Sequence, residues 1–322
     1  MTNIDLSVII PVYNAMPLLE RTFNSIFAQK THYTYEVILV DDGGKDNSVD
    51  YIKSRTEPNI VLIQQQNAGP ARARNNGLEH ANGRYCAYLD ADDFWEDTFI
   101  EKTVSFLDEH PDCVAASVGQ RHLTVSGEGI APKCIGDYST PVILTDFFNI
   151  WGQYMHVCTG SVTIRTEVMK TIGGQREDLR IAEDLEFWAL VSTYGNWAFI
   201  PEVLFTSDGI DLIKDNATWM RKMQPRWNNA PSVEDWQKRL VARLGINLPF
   251  GFLKARGKIA SMFAYSHIMS NREKLARQEV ITYGEYFTKN NANKILIAAS
   301  KLSLTWWLLC KCLQIKESRR FK

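Results

Sequence analysis

Three short runs of aliphatic, largely β-branched residues, at 6–13, 36–40 and 60–64, and a fourth apolar run, Tyr85-Cys86-Ala87-Tyr88-Leu89, each break off into a loop of Asn, Asp, Gln and Gly. Runs this short and this apolar fit strands covered on both faces, because a half-exposed strand would alternate with polar residues. Between them the apolar positions fall at helical spacing. Leu18, Leu19, Phe23, Ile26 and Phe27 mark a helix over 17–29, and further helices are expected at 48–55, 71–81 and 98–109. Strand–helix alternation with short turns predicts βαβ units and a mostly parallel, Rossmann-like sheet with helices on both faces. In such sheets ligands bind beyond the carboxyl ends of the strands. Pro11-Val12-Tyr13-Asn14, Asp41-Asp42-Gly43-Gly44, Gln65 to Gly69 and Asp90-Ala91-Asp92-Asp93 follow the four runs in turn, so one sheet edge should collect them all. After Pro201 the alternation gives way to helices and loops, with a Pro- and Asn-rich break expected over 225–231. We expect a first domain over 1–205 and a helical region over 206–322.

Charge and cysteine content narrow the partners. With 36 Lys and Arg against 37 Asp and Glu, there is no overall basic field to draw the chain onto nucleic acid. The six cysteines include no C-x-x-C pair, which fits a reducing compartment. No basic stretch precedes the first apolar run, and Pro11 interrupts it, so the start of the chain does not read as a secretion signal and a cytoplasmic location is expected. The segment 295–313 approaches the length of a spanning helix but carries Lys301, Lys311 and hydroxyl residues, poor material for a bilayer core. The end of the chain differs in charge from the rest. From Lys289 onward there are eight basic residues and one acidic residue, Glu317. Paired tryptophans Trp306 and Trp307 among leucines and lysines make 294–322 an amphipathic basic tail. It reads either as an interfacial segment on the inner face of the cell membrane or as a helix packed on the protein or on another copy.

The acidic loop Asp90-Ala91-Asp92-Asp93 has a plain reading as a turn capping the next helix. It also has a chemical one, since clustered carboxylates bind Mg²⁺ or Mn²⁺ together with phosphate oxygens. Asp41 and Asp42 at the same edge favour the second. No P-loop, Gly-x-Ser-x-Gly motif or histidine cluster with metal-ligand spacing competes with it.

Five blocks in order then resemble the motifs of the GT-A family 2 glycosyltransferases. They are Ser7-Val8-Ile9-Ile10-Pro11-Val12-Tyr13-Asn14, Val40 to Asp46, Gln66 to Pro70 with Ala73 to Leu78, Tyr88 to Asp93, and Ala182-Glu183-Asp184. The resemblance covers residues 6 to about 205. It implies a GT-A fold and an inverting transferase that moves one sugar from a nucleotide sugar, most often UDP-linked, to a hydroxyl of a glycan or lipid-linked acceptor. By position, Pro11 and Tyr13 match residues lining the base pocket, and Asp42, with Asp41, matches the acid at the nucleobase. Arg74 and Asn75 match nucleotide contacts and loop support. Asp90 matches the acid near ribose or metal, Asp92 the metal ligand, and Asp184 the general base. Gly44 departs from the usual serine, and Gln224-Pro225-Arg226-Trp227 lacks the spacing of processive polymerases. Two other readings fit the sequence less well. A nucleotidyltransferase would want a Gly- and Lys-rich loop where Asn14-Ala15-Met16-Pro17 stands. A silent assembly subunit should have lost Asp92 or Asp184, and both are present. Trp95, Trp151, Tyr154 and His156 are candidates for a sugar-stacking wall. Oligomers are compatible with the sequence.

Overall fold

The computed structural model describes residues 4–123, 135, 138–208 and 216–320, and Cys134 lies outside them. The chain divides into two compact units. The first takes residues up to Phe147, Tyr154–Glu177 and the stretch from Phe187 to the end of the last strand. The second takes Phe148–Gln153, Asp178–Glu186 and the helices from Asn216 on.

The first unit is built on a nine-stranded mixed sheet. Its strands are β1 (Leu6–Val12), β2 (Tyr35–Asp41), β3 (Ile60–Gln64), β4 (Tyr85–Tyr88), β5 (Phe94–Trp95), β6 (Cys113–His122), β7 (Val142–Leu144), β8 (Val162–Arg165) and β9 (Asn196–Ser207). They run in the order β3-β2-β1-β4-β8-β6-β9-β5, with β7 also on β9. The expected parallel half is present, as β1 pairs in parallel with β2 and β4, and β2 with β3. The other half is mixed: β8 runs antiparallel to β4 and β6, β9 runs antiparallel to β5 and β7, and β6 and β9 are parallel with register shifts. Register places the acidic loops together. Val12 pairs with Asp41 and Ile9 with Tyr88, so the loops leaving β2 and β4 flank the end of β1.

The covering helices follow from side-chain spacing. In Leu18–Phe27 the buried Leu19, Phe23 and Ile26 lie on one face. Helix Pro70–His80 starts with Pro at its first position after Gly69 at φ 96°, a conformation that favours glycine. It lies close on β1 because Gly77 has no side chain: a Cβ there would stand 2.4 Å from Ile9 Cγ2.

His156 is 1% exposed, set edge-on to Phe147 and Phe199, and neither ring nitrogen has a partner among the described residues. Burial pushes its pKa from 6.5 down to about 3. Below pH 6.5 the unfolded chain takes up a proton that the folded ring refuses, so the stability present above that pH is lost as pH falls toward about 3, by up to about 1.4 kcal/mol per pH unit. Thermal melts between about pH 7 and about pH 5 should therefore fall more steeply for the native chain than for His156→Leu. Equal slopes would mean that the ring is protonated in the fold.

The second unit is helical. Helix Phe250–Met269 buries Phe252, Ile259 and Phe263, and Gly257 lets it approach the turn at Tyr286, whose carbonyl oxygen would lie 2.2 Å from an added Cβ. Glu186 is fully buried and pairs with Arg239 at 2.5 Å. A charge so placed is tolerable only with such a partner. The break expected over 225–231 is displaced, since helix Asn216–Asn228 continues through Pro225. Its end is satisfied from elsewhere: Asn229 donates to the Pro225 carbonyl, and the Arg272 guanidinium donates to the carbonyls of Trp227 and Ala230 at 2.6 and 2.9 Å.

Candidate functional site

At the carboxyl ends of β1, β2 and β4 the polar loops are tied to one another through buried side chains. Asp42 is 3% exposed, and its carboxylate accepts hydrogen bonds from the backbone N–H of Ala68 and of Gly69, both at 2.8 Å, and from Gln65 Nε2 at 2.8 Å. One carboxylate thus fixes the loop after β3 to the loop after β2. Asp41, also buried, accepts from the Gly44 N–H at 3.0 Å and from Gln64 Nε2 at 3.2 Å. On the other side Asn14, at φ 49°, accepts from the Lys45 N–H at 2.7 Å. A Cβ at residue 44 would stand 3.0 Å from the Asn14 nitrogen, a tight approach between the two loops. Tyr13 stands 55% exposed at the end of β1, beside the half-buried Pro11.

Arg74 and Asn75 sit side by side on helix Pro70–His80, and both are buried. Arg74 reaches Asp90 Oδ1 at 2.6 Å and Gln175 Oε1 at 3.2 Å. The Asn75 amide clamps residue 175 both ways, donating to its carbonyl and accepting from its N–H, each at 2.8 Å. It also donates to Glu177, which pairs with Arg72 at 3.1 Å. Gly174, at φ 69°, makes room for this clamp, because a Cβ would stand 2.2 Å from Asn75 Oδ1. Asn75 is thus the support of a loop a hundred residues away.

The acidic loop after β4 is held from beneath. The Thr22 hydroxyl lies within donating distance of the carbonyls of Ala91 at 2.9 Å and Asp93 at 2.7 Å. Arg21 donates to the Asp92 carbonyl at 2.8 Å, pairs with Asp208 at 2.5 Å, and covers the Phe94 ring. The Asp208 N–H in turn donates to Asp93 Oδ1 at 3.0 Å. Three carboxylates so close disfavour one another's charge. Burial first, and Asp90 second, raise Asp92; burial, then Asp90 and Asp92, push Asp93 up to about 8. Asp93, 5% exposed, is the inner and Asp92 the outer member.

These oxygens suit a hard divalent cation. Asp92 carries charge that its surroundings disfavour, and Asp90 is the neighbour that adds most to it. Among the described residues no set of three His, Cys, Asp or Glu side chains is arranged to hold a metal unaided. The missing ligands would have to come from phosphate oxygens, as is usual for Mg²⁺ at nucleotide sites.

Asp184 belongs to the second unit. It stands in the first turn of helix Glu183–Val191, after Ala182 at φ 62°, and its carboxylate accepts from the Leu185 N–H at 2.8 Å. The expected sugar-stacking wall is not formed. Trp95 stacks flat on Phe99 and donates to the Gly160 carbonyl, and Trp95, Trp151 and His156 are all at most 3% exposed, leaving only Tyr154 at a surface. Core packing takes those rings. Arg21, Thr22, Gln175 and Asp208 have no motif that marks them; only the fold brings them to the site.

Comparison with known proteins gives a consistent result. The sequence profile described as glycosyl transferase family 2 matches residues 7–173. A Bacillus subtilis glycosyltransferase named for teichuronic acid biosynthesis, TuaG, is 37% identical over 196 residues, covering 60% of this chain and 74% of its own. The minor teichoic acid biosynthesis protein GgaB of the same organism is 38% identical over 112 residues, 34% of this chain and 12% of its own. This chain therefore spans most of one relative and a small part of the other. The crystal structure of Staphylococcus aureus TarS 1–349 in complex with UDP-GlcNAc superposes with a TM-score of 0.63 at 18% identity, covering 99% of this chain and 90% of that one. A mannosyltransferase from Pyrobaculum calidifontis, in complex with GDP-Man and Mn²⁺, gives 0.57 at 18% identity, covering 98% and 86%. At such identities the likeness speaks for the fold alone.

Proposed function

Because the chain belongs to glycosyl transferase family 2, its profile matching more than half of the residues, we propose that it moves one sugar from a UDP-linked donor to a hydroxyl of a surface glycopolymer or its lipid-linked precursor, with inversion at the anomeric carbon. The observation that carries this reading is the loop Asp90–Asp93, backed by Arg21, Thr22 and Asp208 and joined to helix Pro70–His80 by the Arg74–Asp90 pair. The relatives named for teichuronic and teichoic acid biosynthesis support the acceptor class.

The exposed Tyr13 ring is the residue to lie against the nucleobase, beside loops that Asp42 and Asp41 keep rigid. Rigid loops matter because positioning bound reactants supplies much of the rate in a transfer without a covalent intermediate. Arg74 holds Asp90 in one orientation, and its charge sits beside that of the donor's phosphates. Asp92, with Asp90, would hold the divalent ion, which when bound neutralises charge on the departing diphosphate. The acceptor hydroxyl attacks the anomeric carbon as the carbon–oxygen bond to the nucleoside diphosphate breaks, and the hydroxyl proton passes to a general base. We assign that base to Asp184. One displacement inverts the configuration, whereas a covalent intermediate would retain it.

A donor panel tests this. Release of UDP should occur with one nucleotide sugar and Mn²⁺, rise with acceptor, and stop with a chelator. Absence of release from every uridine- and guanosine-diphosphate sugar would overturn the reading.

A further inference from the structure

The last two helices, Asn291–Ser300 and Ser303–Ser318, are apolar on both sides. Their inner sides are fully used: Trp306 and Cys310 are buried, the Trp306 indole donates to the Glu273 carbonyl at 2.9 Å, and Glu317 accepts from Trp219 at 2.6 Å and Tyr265 at 2.7 Å. Helical spacing turns Leu304, Leu308 and Ile315 the other way, with Trp307 on the flank. Those four, with Ile295 and Leu302 before them, are between 49% and 69% exposed. A helix with an apolar outer stripe has something to cover it.

Charge says what. From Tyr286 to Lys316 the sequence has five lysines and no acid. Lys311 is paired with Glu273, while Lys294, Lys301 and Lys316 are exposed and form no ion pair among the described residues. Helix Asn291–Ser300 borders a cleft of about 460 Å³, with Phe287 and Ile297 in its wall and Lys289, Lys294 and Lys301 along it; Glu285 is its one acid. A second copy of the chain on this stripe would set lysines against lysines, which repel. No helix of the described residues is long and apolar enough to cross a membrane. Apolar rings and chains pointing outward among lysines match the headgroup layer of an anionic bilayer.

We propose that this face docks the enzyme on an anionic lipid surface, with Leu304, Trp307, Leu308 and Ile315 entering the headgroup boundary and Lys294, Lys301 and Lys316 facing lipid phosphates. This is independent of the donor chemistry, and it would bring the chain to the surface where lipid-linked acceptors are found.

The full chain is tested by flotation with phosphatidylcholine vesicles, with and without about one-third phosphatidylglycerol. Binding should need the anionic lipid and should vanish near 0.5 M salt, a concentration at which charges more than a few ångströms apart are screened. The variant Lys294→Gln/Lys301→Gln/Lys316→Gln should bind about 10²-fold more weakly. Leu304→Gln/Leu308→Gln should also lose vesicle binding while keeping the native melting temperature and the native rate of UDP release with a soluble acceptor. The proposal is overturned by no binding to either vesicle, by equal binding to both, or by a concentration-dependent dimer in sedimentation that the leucine variant abolishes. UDP release in the same preparation reports on the donor chemistry separately, so either reading can fail without the other.

Discussion

Asp92→Asn should lower turnover by about 10²–10⁴-fold in saturating Mn²⁺, because it removes a charged oxygen from the place where the leaving diphosphate gains charge. Its fold should not suffer. Burial first and Asp90 second raise the Asp92 pKa and so disfavour its charge, and a neutral amide there relieves that cost, so the metal-free melting temperature should hold or rise. The measurement is paired: UDP binding by calorimetry with Mn²⁺ and with chelator, alongside turnover. The native chain should bind UDP more tightly with the ion, whereas the variant should show almost no difference. Near-normal turnover of the variant in Mn²⁺ would remove Asp92 from the reaction.

Asp184→Asn should leave UDP affinity within about two-fold of native and reduce turnover by about 10²–10⁴-fold, the range of a lost general base. An amide can still accept the Leu185 N–H, so the first turn of its helix should survive. The pH profile separates a base from a merely structural residue, since the acidic limb of kcat/KM should disappear in the variant. Parallel losses of UDP affinity and turnover would instead put Asp184 among the donor contacts.

What could be read in advance followed the length scale of each interaction. The parallel half of the sheet announces itself because β1 to β3 are dense aliphatic runs and β4 is a short apolar one, and their loops must then share an edge. The antiparallel half is harder to see, since β6 is made largely of small residues such as Ala115, Ala116, Ser117 and Gly119, which give neither a strand period nor bulk. The acids at the site stood out by type, but what each one touches did not. Asp42 looks like a ligand contact in sequence, but its hydrogen bonds to Gln65, Ala68 and Gly69 could be seen only in the fold. Arg21 and Asp208 are ordinary surface residues until sequence separations of 71 and 115 are closed up and they meet the acidic loop. Long-range partners of this kind depend on packing, which no local pattern encodes. The proline at 225 is the opposite case, a strong local signal that the helix runs through, with its end capped by Arg272 from the turn before helix Glu273–Tyr283.

Gly77 gives this a further consequence. It sets how close helix Pro70–His80 lies to Ile9, and one turn earlier on that helix Arg74 spans to Asp90. A methyl group at 77 would lift the helix, and with it the guanidinium, while touching nothing at the sheet edge. Such a lesion would register in an assay as weakened handling of the donor, although its origin lies in the hydrophobic core. Along this helix the packing of the core and the placing of the Arg74 guanidinium beside Asp90 are therefore mechanically linked.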